Sequence, residues 1–290
     1  MPSSKKPRKK TPSKKASNES VVPFAPEPRG MEGTMENMFG SRTRDPLDQA
    51  QDLMYDAWDS ADPRQRVALA QRALEISPLC ADAYNLLAEV HAKTQSEALA
   101  YYQKAVEAGE KALGKDDFNK YVGHFWGFLE TRPYMRARLG LGEALWATGE
   151  KDAAIANFQE MLELNPGDNQ GIRYVLAAKL LDAGRMNELK SLLASCADEA
   201  SADIQYTRAL VAYFEGVEDA EAIAQIAWET NQYVPGMLSG RIPTIELQGY
   251  ITIGGRDEAS GYVEVFGSPW KRTPGAIDWI ENLTSRLEPK

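Results

Sequence analysis

From Pro46 to Thr230 apolar residues return every three or four positions, in short runs separated by proline, glycine or Asp-Pro. This is the period of amphipathic helices that bury one face. Leu47, Ala50, Leu53, Met54 and Ala57 share one such face, and Val67, Ala70, Ala73, Leu74 and Ile76 another, with Asp62-Pro63 between the runs and Pro78 after them. The pattern predicts helices in pairs.

A second pair is predicted from Tyr84, Leu87, Ala88 and His91 followed by Ala98, Tyr102 and Ala105, with a turn about two residues short of the repeat consensus. A third carries Leu141, Gly142, Leu145, Gly149, Ala154, Phe158, Met161 and Pro166, and a fourth Leu176, Ala177, Leu180, Gly184, Leu189 and Leu193. The alternation of small residues, which let antiparallel helices approach, with large ones, which fill the facing gaps, follows the tetratricopeptide consensus. The turn glycine of the third pair recurs 35 residues later, from Gly149 to Gly184, as stacked repeats require. A fifth pair is expected over 202–215 and 219–230, with Ile204, Leu210, Val211 and Phe214 facing Ile223, Ile226, Ala227 and Trp228. The expected fold is therefore all-α: a tetratricopeptide-like solenoid over 45–230, a C-terminal capping region over 231–290, and a basic tail over 1–44.

Two stretches break the repeat. Residues 116–133 form an insertion dense in aromatics, with Phe118, Tyr121, Phe125, Trp126 and Phe128, a set too apolar to stand free in water. It must dock on the scaffold or form a binding surface. After Thr230 the helical period fades; a short helix is expected over 257–266, and a last one begins with Thr273 as N-cap and Pro274 as first helical residue, running to about Leu287.

Composition changes this picture in one respect. The net charge of −9 hides an asymmetry: Lys5, Lys6, Arg8, Lys9, Lys10, Lys14 and Lys15 stand against Glu19 alone in the first twenty residues, a local +6 that leaves −15 for the remainder. With little apolar periodicity, residues 1–44 are expected to stay disordered, and the lysines either contact a polyanion such as nucleic acid or act as a solvated arm. Cys80 and Cys196 fall in different predicted repeats without metal-ligand spacing, and no apolar run approaches the ~20 residues of a membrane span. A soluble, cytoplasmic protein is the expectation.

The residues also resemble a known family. Ser77 to Gly109, with Pro-Leu-Cys-Ala-Asp-Ala-Tyr-Asn-Leu-Leu-Ala-Glu, and 231–279, with Val234-Pro235, Leu238, Glu258-Ala259, Trp270-Lys271-Arg272 and Gly275-Ala276, are similar to the suppressor-of-tumorigenicity seven family. Residues 123–138 and 165–174 resemble bacterial tetratricopeptide relatives specifically. The resemblance implies a helical repeat fold without enzymatic activity and supplies no catalytic residue. For animal members it implies a membrane location, from which this sequence departs.

No phosphate loop, dinucleotide fingerprint, nucleophile triad or paired-histidine ligand set is present, so no catalytic residue, metal or cofactor is assigned. The candidate partner-binding residues surround the insertion: Trp126, Arg132, Arg136, Arg138, Asn169, Gln170 and Arg173. Arg138 and Arg173 hold equivalent positions in successive repeats and could face one acidic peptide or terminal carboxylate. Alternatively Arg132, Arg138 and Arg173 pair with Glu130, Glu143 or Asp168 and lock the insertion down. The leading expectation is a non-enzymatic scaffold binding a protein or peptide through the repeat groove; nucleic-acid association through the tail is the alternative, and an enzyme with an unrecognised site is third.

Overall fold

The computed structural model describes residues 45–247, 249 and 251–287, which form thirteen α-helices and no strand. Helices α1 (Pro46–Asp59) and α2 (Pro63–Ile76) make the first pair, and each begins where an aspartate caps it. Asp45 accepts from the Asp48 backbone N–H while Asp48 returns the bond, a reciprocal capping box ahead of Pro46. Asp62 accepts from the Arg64 N–H ahead of Pro63.

The second pair is α3 (Ala81–Leu86), prolonged by a wide turn over Leu87–His91, and α4 (Gln95–Tyr121). The wide turn closes through Ala92 N–H to Leu87 O at 3.0 Å and leaves His91 on the surface. That differs from the core position the consensus spacing assigns to it, because the i→i+5 closure rotates the end of the helix. Helix α4 absorbs the first part of the expected insertion, and its backbone breaks at Gly114, where φ is 68°.

Helices α5 (Arg132–Thr148) and α6 (Lys151–Leu164) form the third pair, α7 (Ile172–Asp182) and α8 (Met186–Ser195) the fourth, and α9 (Ala202–Glu215) and α10 (Ala220–Thr230) the fifth. Gly149 ends α5 at φ 92°, the left-handed conformation that favours glycine, and Gly184 repeats this after α7 at φ 69°. The small residues of the repeat have a measurable role. A Cβ on Gly142 would stand 2.5 Å from the Phe158 ring, and one on Gly140 2.1 Å from the Tyr102 ring. Ala154, Phe158 and Met161 are correspondingly closed to solvent.

The buried side chains form two clusters. Met54, Ala70, Ala73, Leu86 and Leu87 centre the smaller, N-terminal one, and the larger draws its buried residues from Tyr121 to Leu283. The C-terminal region adds α11 (Val234–Leu238), an irregular segment, α12 (Arg256–Arg272) and α13 (Ala276–Leu287).

Helix α12 meets α7, α9 and α11 and buries Tyr262, Phe266 and Trp270, spaced i, i+4 and i+8 on one face. Burial of this size stabilises by roughly 1.5–3 kcal/mol per side chain. The helix runs past the expected end at Phe266 and through Pro269, because Trp270 has a buried partner: its Nε1–H donates to the Tyr262 hydroxyl at 2.8 Å. Thr273 is consequently not the N-cap of the last helix. Its N–H closes α12 onto Pro269 O, and α13 begins at Ala276.

Candidate functional site

The aromatic insertion is folded into the scaffold by the residues around it. After α4, two 3-10 turns at Phe125–Gly127 and Leu129–Thr131 lead into α5. Phe125 is fully buried, its ring 4.8 Å from Phe118 and 5.7 Å from Tyr134. Gly123 N–H donates to Leu164 O at the end of α6, and the Thr131 hydroxyl donates back to Phe125 O and Phe128 O. Arg132 lies with its guanidinium 5.2 Å over the half-buried Trp126 ring while its Nε–H donates to Trp126 O at 3.1 Å. Trp126 and Arg132 thus form one unit at the rim.

The other three arginines go to separate partners. Arg136 makes a two-pronged pair with Asp82 of α3, Nε to Oδ1 at 2.9 Å and Nη2 to Oδ2 at 2.5 Å, and both side chains are buried. Gln51 and Asn85 donate to the same carboxylate, and the Trp58 ring lies 5.3 Å from the guanidinium. Helices α1, α3 and α5 are therefore joined at one charge pair.

Arg138 crosses instead to α6. Its Nε–H donates to Asn157 Oδ1 at 2.6 Å, Nη1 to the Tyr134 hydroxyl at 2.8 Å, and Nη2 to Glu160 at 2.5 Å. Arg173 turns to Asp168 at 2.8 Å and Glu199 at 3.3 Å. Asp168, at φ 46°, also accepts from the Ile172 and Arg173 N–H groups and so starts α7. Gln170 is buried with its amide reaching Met135 O at 3.5 Å, whereas Asn169 is exposed.

Arg138 and Arg173 share a register counted back from Gly149 and Gly184, yet they are not brought together. Helix α5 begins well before its counterpart α7, so Arg138 lies inside a helix against α6 while Arg173 lies in a first turn against its own loop. Lys5, Lys6, Arg8, Lys9, Lys10, Lys14 and Lys15, and the rest of the expected tail, lie outside the described residues.

Chemically these groups are quiet. Burial, then the neighbouring Asp82 charge, pushes the Cys80 thiol up to about 12, which suppresses the reactive thiolate. Burial with Glu199 beside it moves the Tyr174 hydroxyl up to about 12 as well. Among the described residues no group of three or more His, Cys, Asp or Glu side chains is placed to hold a metal ion.

Two surfaces escaped the sequence. One is a seam between the third and fourth pairs. Trp146 is flanked by Lys151 and Lys179, whose Nζ atoms lie 4.6 and 5.1 Å from the ring centre. Glu143 takes Lys179 at 2.8 Å, and Asp182 takes both Lys151 and Arg272 of α12. The other is an apolar groove of about 240 Å³ between α8, α9 and α10, with Leu193, Val211, Ala212 and Ile223 in its lining and the Lys190–Glu215 pair at its rim. On the same two helices, α9 and α10, Phe214 is 62% and Ile226 53% exposed. Both residues follow the helical apolar period that marks a core face, so periodicity alone read them as buried.

Comparison with known proteins agrees with this architecture. Residues 36–124 match the ST7 protein family, and residues 127–169 match a tetratricopeptide repeat. The chain is similar to ST7 proteins. It is 28% identical over 256 residues to the Protein ST7 homolog of Drosophila pseudoobscura pseudoobscura, covering 79% of this chain and 47% of that one. It is 30% identical over 248 residues to the Suppressor of tumorigenicity 7 protein-like of Danio rerio, covering 79% and 43%. The human protein of that name is 28% identical over 265 residues. The chain spans about half the length of the curated relatives it matches. The ST7-matching residues hold Gln51, Asp82 and Asn85, and the tetratricopeptide match holds Arg136, so the buried charge pair bridges the two matched segments. Among the described residues no helix is long and apolar enough to cross a membrane.

Proposed function

We propose that the chain is a non-enzymatic interaction scaffold that holds a partner protein on its stacked helix pairs, at the seam between the fourth and fifth pairs. The observation that carries this reading is the apolar groove there, on helices that also leave Phe214 and Ile226 facing water at a cost that a partner would remove. The ordered repeats supply rigidity, and Arg136, Arg138 and Arg173, with Gln170 and the Trp126–Arg132 unit, set the spacing of the helices instead of touching the partner.

Changing Phe214 and Ile226 together to Asp should abolish co-purification of partner proteins while the far-ultraviolet dichroism keeps its helical signal. Partner capture unchanged by the double substitution would remove the groove from the proposal. The two free, buried thiols at Cys80 and Cys196 favour a reducing, cytoplasmic setting, which cell fractionation tests directly.

A second reading rests on the +6 charge of residues 1–20. Seven cations in so short a stretch are an electrostatic footprint for nucleic acid. This reading requires that binding be lost from a chain beginning at Asp45.

A further inference from the structure

The groove between α8, α9 and α10 changes character along its length. At one end Arg208 of α9 lines it, and its Nη2 donates to Leu193 O at 2.7 Å and Cys196 O at 2.8 Å at the end of α8. Carbonyls spend part of the guanidinium, but no carboxylate among the described residues answers its charge. Val211 and Ala212, one turn on, face Ile223 of α10 and make the apolar middle. Past them Lys190 and Glu215 neutralise each other at 2.7 Å. The turn into α10 then carries Glu218 and Asp219, both exposed and without an ion pair among the described residues. Arg208 and Glu215 are separated by two turns of one helix, about 10 Å along its axis. A cation, an apolar middle and an acidic end thus follow one another.

The size of the groove narrows what can fill it. An apolar cavity of about 150 Å³ accepts a benzene ring, whereas pockets for cofactors and drug-sized ligands start at about 300 Å³. At about 240 Å³ this one suits one or two large side chains. Those side chains must come on a backbone that satisfies its own hydrogen bonds, because the lining is helical and the described residues hold no strand to which an extended segment could add.

We propose that the groove takes an amphipathic helix of a partner protein with a dipolar face: a carboxylate set over Arg208, one or two leucine- or phenylalanine-sized side chains in the apolar middle, and a lysine or arginine toward Glu218 and Asp219. This rests on the groove being the docking surface proposed above. On a helix such residues fall at i, i+3 or i+4, and i+7, which spans the same ~10 Å. The two ends differ in sign, so a helix acidic or basic at both ends meets a like charge at one of them.

The probes are two stapled helical peptides, equal in length, with the cores Glu-Ala-Ala-Leu-Leu-Ala-Ala-Lys and Gln-Ala-Ala-Leu-Leu-Ala-Ala-Gln, titrated with the full chain by fluorescence anisotropy at low salt. The charged peptide should bind about fivefold more tightly, as two exposed ion pairs allow. Arg208→Gln should remove most of that advantage, and so, separately, should Glu218→Lys with Asp219→Lys. Should Arg208→Gln loosen the end of α8, the pair on the exposed turn decides alone. Equal affinities, or an advantage that survives the turn variant, overturn the dipolar helix and leave the groove to the Phe214 and Ile226 test. Binding of neither peptide overturns the dipolar helix as well.

Discussion

Asp82 shows how one residue can control a long reach of this chain. Its carboxylate is fully buried and takes Arg136 from two helices away, together with Gln51 and Asn85. Removing one partner from such a pair strands the other charge out of water, which costs about 3–5 kcal/mol, whereas replacing both by apolar residues is often close to neutral. Arg136→Ala should lower the urea unfolding free energy by that amount, and Asp82→Leu with Arg136→Met should restore most of it. A loss under ~1 kcal/mol in the single variant would mean that the pair is wet and dispensable. The sequence placed Arg136 among candidate ligands of an outside partner because nothing local distinguishes a buried arginine from a presented one. The deciding partner lies 54 residues away.

At the scale of the helix pair the sequence was far more informative. Gly142, Leu145, Gly149, Ala154, Phe158 and Met161 carry the third pair in their spacing, and they meet where that spacing requires. Contacts within a repeat are local, so local pattern suffices. Where distant contacts take over, the pattern fails: α12 outlasts Pro269 because Trp270 finds Tyr262, and His91 turns outward because its helix ends in a wide turn. The small residue at 142 allows a test with a definite sign. Ala in place of Gly in an unobstructed helix stabilises by about 1 kcal/mol. At Gly142 the new Cβ would meet the Phe158 ring at 2.5 Å and the Asn157 amide at 2.6 Å, and forcing a packed interface costs about 1–3 kcal/mol. Asn157 is also the group that holds Arg138, so relief by moving it loosens a second contact. Gly142→Ala should therefore lower the melting midpoint by several degrees; an increase would show that the α5–α6 contact is slack.

Over the whole molecule the governing feature is the separation of charge, +6 in the first twenty residues and −15 in the rest. The sequence exposed this asymmetry completely, since charge needs no fold to be counted, but it left two uses for it. If the lysines contact nucleic acid, binding must be salt-dependent, with log K falling by about 0.9 per phosphate neutralised on a duplex. Full engagement of the seven cations among residues 1–20 then corresponds to a slope near −6. The acidic remainder repels the same polyanion, so a chain beginning at Asp45 should show no retardation in a gel shift at any salt concentration that leaves the full chain bound. Equal binding by both chains would place the contact in the helical body, and binding by neither would leave the lysines as a solvated arm. A shift by the full chain alone, with the expected slope, would instead give this scaffold a second attachment point, independent of the groove between α8, α9 and α10 and able to act while a protein partner is held there.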